Sequence, residues 1–231
     1  MWVRHGNYAL AALLALAVAA FWPRYLGQPF ASIDRYTHAH ALLASLWLLL
    51  LIVQPAAIHL GQRGLHRALG RASFAIVPLF LGASLLLAHF RFASMGAAAF
   101  AAEARFLYLP VSAIVLFAAC YVAAIRQRRV APVHGRLMAA TALTLVDPVL
   151  GRVLFHYFPP LPLAMYQVIT FGLATLLAAA LLLSYRGEPA GRRVLAQVVA
   201  IFVVVYFLWF IVPGTAAWLV FASWFRELPL T

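Results

Sequence analysis

Five side chains in this sequence combine reactive chemistry with an apolar setting. His38, His40, His89 and His156 each lie near the end of a long hydrophobic run, and Asp147 is the one acid inside such a run. Neutral imidazoles with one carboxylate suit zinc, copper or non-haem iron, and a pair of imidazoles suits haem b. On this reading His38, His40, His89, Asp147 and His156 are the candidate metal ligands. His40, His89, His156, Gln54 and Arg152 are the candidate cofactor-binding groups, and Asp147 is the candidate catalytic base or proton relay. Each also has an ordinary explanation. Histidines near span ends sit at the membrane interface, and a buried acid is tolerated when Arg152 or Arg91 neutralises it in a structural ion pair. Both alternatives stand at this point.

The elements that must position these groups are membrane spans. The segment from Ala41 to Leu60 is almost wholly Ala, Leu, Ile and Val, and about 20 such residues at about 1.5 Å rise cross a hydrocarbon core of roughly 30 Å. Its polar members His40, Trp47 and Gln54 recur every seven residues. At about 100° per residue they drift only about 40° around the helix, so they share one face, which should point into the bundle or a watered cavity. His38 and His40 form an H-x-H pair that can share a ligand only if the helix start is extended, because residues two apart on a helix point about 200° away from each other. The basic run that follows, GQRGLHRALGRA, reads as a loop.

Taken in order, the sequence predicts an all-α polytopic bundle in a single domain over 1–231, with about seven transmembrane helices at 8–24, 39–60, 73–93, 106–125, 135–157, 163–185 and 194–225. A break is expected in the last near Pro213-Gly214. Ala-Val-Ala at 17–19 imitates a signal-peptidase site, but the run ends in Phe-Trp-Pro and reads as an uncleaved first span. SMGAAAFAAEAR before the fourth span is a candidate short interfacial helix. His66-Arg67 to His89 and His134-Gly-Arg136 to His156 have nearly the same length, a weak hint of a repeated two-helix unit. His59, His66 and His134 fall beside arginine loops and read as solvated or headgroup-facing residues.

Composition excludes several classes. With 66% hydrophobic and 10% charged residues, the chain lies outside the range of soluble domains. All 17 basic residues are Arg, so a retinal-type Schiff base and any lysine nucleophile are excluded. A single cysteine, Cys120, excludes a disulfide framework and a CxxC site, and no Walker or GxGxxG loop is present. The net charge of +12 comes from arginines in short loops and reflects the positive-inside rule; membrane lipids, and not nucleic acid, are the expected partners. Eleven arginines, Arg4 among them, fall on one side of the predicted topology and six on the other, which predicts a cytoplasmic N-terminus. Abundant Arg and Ala without Lys point to a GC-rich genome and a bacterial inner (plasma) membrane.

His38-x-His40 with Trp47 and Gln54, Leu65-His66-Arg67-x-Leu69-Gly70, His134-Gly-Arg136-Leu-Met and Asp147-Pro together resemble a group of histidine-containing polytopic bacterial membrane proteins that carries no assigned activity. The resemblance covers about 38–156 and implies the membrane fold, with no substrate. Four functions follow as expectations. The first is redox chemistry or metal handling at a histidine site in the outer half of the bundle. The second is a small-solute or proton carrier or channel lined by Asp147, Gln54 and Arg152. The others are a metal-dependent intramembrane hydrolase and a non-catalytic subunit of a homo-oligomer or membrane complex.

Overall fold

The computed structural model describes the backbone of residues 2–231 and the side chains of residues 8–231. Arg4, counted in the charge bias, lies outside the described side chains. The fold is all-α, with ten helices among the described residues: α1 Trp2–Phe21, α2 Arg35–His59, α3 Arg63–Ala93, α4 Ala97–Glu103, α5 Tyr108–Arg126, α6 Ala131–Leu143, α7 Val146–Tyr157, α8 Leu163–Leu183, α9 Pro189–Leu208 and α10 Ala216–Arg226. They build seven segments long and apolar enough to cross a membrane: Tyr8–Leu26, Arg35–His59, Arg63–Ala93, Ala97–Arg126, Ala131–Tyr157, Leu163–Leu183 and Pro189–Gly214. The chain is a multi-pass membrane protein.

Sequential neighbours pack together, and α7 closes back against α1. Arginine-rich connections (α2–α3, α5–α6, α8–α9) gather at one end. The α1–α2, α3–α5 and α7–α8 connections form the other, called here the cavity end. The expected basic loop is in fact helical from Arg63, giving α3 31 residues. That is about 46 Å of helix, longer than the apolar layer, so its arginine-bearing first turns can stand clear of hydrocarbon.

Two spans are broken, the fifth unexpectedly and the seventh at the expected Pro213-Gly214. The fifth span, expected as one helix over 135–157, is two half-helices that part between Leu143 and Val146. Pro148 accounts for the break: it has no N–H to donate to Thr144, and its ring would clash with that carbonyl, yet it is tolerated in the first turn of a new helix. In the seventh span, α9 ends at Leu208, and Pro213 lies in a tight turn at Val212–Gly214. The chain then returns as α10, started by the Thr215 hydroxyl accepting from the Trp218 N–H at 3.2 Å. Trp218 Nε1 donates to the Ala104 carbonyl at 3.1 Å and Arg226 Nη2 to the Met95 carbonyl at 2.6 Å. Residues 216–226 therefore lie along the cavity end and do not complete a crossing. The suggested repeat is not carried by the helices, since α3 is continuous where the fifth span is broken.

Candidate functional site

Near the cavity end, α1, α2, α3, α5 and the α6–α7 break enclose two adjoining chambers of about 350 and 320 Å³. His40, Leu87, Arg91, Leu145, Pro148 and Arg152 line both. The chamber between α3, α5 and the break adds Asp147 and a wall of Phe80, Phe92, Phe106, Ile114 and Phe117. The chamber on the α1–α2 side adds Arg24, Tyr25 and Thr37.

His40 reaches the site because α2 begins early. Asp34 caps the helix, its carboxylate accepting the Thr37 backbone N–H at 2.8 Å and the Thr37 hydroxyl at 2.7 Å, so Arg35 onward is helical. That overturns the shared ligand proposed for the H-x-H pair. His38 turns away, with Nδ1 at 3.1 Å from the Tyr25 hydroxyl and its ring stacked on Phe30 at 3.7 Å. His40 Nδ1 lies 3.1 Å from Ser84 Oγ. The Ser84 hydroxyl donates to the Phe80 carbonyl at 2.7 Å, so its oxygen accepts from His40 Nδ1–H. Nε2 is then the unprotonated nitrogen, and it makes no hydrogen bond among the described residues.

Asp147 sits in the first turn of α7 and accepts the Thr170 hydroxyl of α8 at 2.5 Å. A hydroxyl donor and a helix N-terminus, with its partial positive charge, are the groups that tolerate a carboxylate there. The expected ion pair with Arg152 or Arg91 does not form: no cation lies within 4 Å of Asp147 among the described residues. Arg152, one turn along α7, donates from Nη1 to the Pro148 carbonyl at 2.7 Å and lies over the Phe21 ring at 4.7 Å. Its remaining guanidinium donors have no protein acceptor among the described residues. Among the described residues the Arg91 guanidinium makes no hydrogen bond, and that of Arg24 meets the Phe155 ring, at 5.7 Å. Arg152 feels the charges of Asp147, Arg91 and Arg24 across this space.

The other candidates lie apart from the chambers. His89 is 1% exposed, with Nδ1 at 2.7 Å from Thr231 Oγ1 and its ring edge-on to Phe225. Among the described residues the His156 ring meets the Phe155 and Tyr157 rings. Gln54 shares the inward face of α2 with His40 and Trp47, as its spacing predicts, but 14 residues of helix put it about 21 Å further along. In the amide orientation that satisfies its neighbours, it accepts the Gly70 N–H at 2.9 Å and donates to the His66 carbonyl at 3.2 Å, so it clamps α2 to α3. Trp47, fully buried, donates from Nε1 to Thr141 Oγ1 at 3.1 Å.

Among the described residues no three of His, Cys, Asp and Glu come together as a metal site would require. His40 and Asp147 are the only members of the proposed ligand set that face a common cavity. The groups that sequence reasoning left out are Arg24 as a cavity residue, Ser84 and the Thr170 partner of Asp147. The arginines carried a signal: Arg24, Arg91 and Arg152 lie at the end opposite the arginine-rich connections. What they can do chemically is bind an oxyanion, since guanidinium groups offer a planar fork of N–H donors and stay charged at any physiological pH. No family model, no curated protein and no solved structure matches this chain.

Proposed function

We propose that this protein is a membrane carrier for a small oxyanion, phosphate or carboxylate in class, which it binds in the two-chambered cavity. One observation carries the reading: three arginines and one carboxylate line the cavity, and most of the guanidinium donors have no protein acceptor among the described residues. All three side chains are exposed, so their free N–H donors are open to an anionic ligand, which they would hold by charge-assisted hydrogen bonds. The broken fifth span supports transport in particular. Half-helices meeting inside a span are where carriers place substrate, because irregular backbone is tolerated there only beside a cavity.

Within this reading Arg152 and Arg91 hold the anion, Arg24 draws it in, and His40 Nε2 accepts a hydrogen bond from its protonated form. Asp147 ties the break to α8 through Thr170. The arginine bias favours a cavity on the outer side of a bacterial inner membrane, with the N-terminus inside.

Uptake of radiolabelled phosphate and of acetate into proteoliposomes tests this. At least one should enter faster than into protein-free vesicles, and Arg152→Gln should cut the rate about tenfold or more, the loss of one charge-assisted contact. Uptake equal to that of empty vesicles, or unchanged in Arg152→Gln, would remove the reading.

A further inference from the structure

The cavity offers a surface that an inorganic ion does not use. Arginine donors sit at the shared boundary of the two chambers and on the α1–α2 side. The chamber between α3, α5 and the break joins Arg91 and Arg152 to a wall of Phe80, Phe92, Phe106, Ile114 and Phe117. Phe80 and Phe117 meet edge-to-face at 5.2 Å and form its floor with His40, whose ring stacks on Phe80 at 5.5 Å. A hydrated ion gains nothing from such a wall, whereas a hydrocarbon chain attached to the anion buries its surface there.

The geometry points to an amphiphilic anion as the ligand: an oxyanion head held by Arg91 and Arg152, and an apolar chain laid in the aromatic chamber. This rests on the oxyanion reading above and narrows its substrate class to lipid-like molecules with a phosphate or carboxylate head. Arg91 and Arg152 line the same chamber as these five apolar side chains, so one molecule can meet both.

A homologous series separates head from chain. Inorganic phosphate, ethyl phosphate, butyl phosphate and hexyl phosphate are titrated against the full-length protein in nanodiscs, with partition into protein-free nanodiscs subtracted. Affinity should rise roughly fourfold per methylene, the value for burying one CH₂. Ala113→Phe, which projects a ring into the aromatic chamber, should flatten that increment, and Ile114→Trp provides a second obstruction should the first variant not fold. If phosphate binds but the wild-type series is flat, this inference is wrong while the oxyanion reading survives. If the increment persists equally in the obstructed variant, the chain lies outside the chamber and the inference is again wrong. If neither inorganic phosphate nor any alkyl phosphate binds, both fail together.

Discussion

At the scale of single residues, two contacts decide where the candidate site sits. Burial works against the Asp34 carboxylate, but the hydrogen bonds from Thr37 and the charge of Arg91 outweigh it and hold the group below the ordinary carboxylate value. A depressed acid contributes stability that is fully present above its unfolded pKa, about 3.9, and lost as pH falls through the folded value. Asp34→Ala should therefore cost about 1 kcal/mol near neutral pH. In denaturant titrations that difference from wild type should shrink below about pH 4; a pH-independent difference would mean the cap does not act through its charge. The second contact is Trp47 to Thr141, which ties α2 to α6. Thr141→Val keeps the shape and removes the acceptor. In a membrane protein that loss should lower stability by about 0.6–2 kcal/mol. Equal stability of the two proteins in mixed-micelle unfolding would show that the indole N–H finds another partner.

Helices were the most legible part of the sequence, because apolar runs of spanning length and the seven-residue spacing of His40, Trp47 and Gln54 report directly on burial. Their meeting points were not legible. Whether His89 and His156 face the same space as His40 depends on how each helix is rotated about its axis. Packing sets that rotation, and here it seals His89 against α10 and leaves His156 among surface aromatics. The helix start at Arg35 was readable in principle, since Asp34 and Thr37 have the spacing of a capping pair, and it alone separates His38 from His40. The Pro148 break was visible as a proline, but its consequence appears only with neighbours in place: it turns Asp147 toward Thr170 and directs Arg152 back into the bundle. Pro148→Ala restores the amide that can donate to Thr144 and lets α6 run into α7. Phosphate affinity should fall about tenfold, equivalent to about 1.4 kcal/mol, while thermal stability stays the same or rises. Retained affinity would show that the break is incidental to binding.

For the whole molecule, the arginines divide between two jobs. Most arginines cluster at one end, where they bias the orientation of the chain in its membrane. Arg24, Arg91 and Arg152 run against that bias and converge on the cavity at the other end. The metal or haem site expected from the histidines needed distant imidazoles to meet; among the described residues His40 alone of the four shares a chamber with Asp147, and Arg91 and Arg152 line it too. A cavity of that sign has a use for an anion, and the most direct measurement is thermal unfolding with and without phosphate. A ligand that binds only the folded state raises stability with its concentration, by about 2.7 kcal/mol at a hundredfold excess over its dissociation constant. Phosphate or an alkyl phosphate should raise the unfolding midpoint of the wild type, and the Arg91→Gln, Arg152→Gln double variant should show no rise at the same concentrations. A wild type that none of these anions stabilises, or a double variant stabilised equally, would contradict an anion site in this cavity.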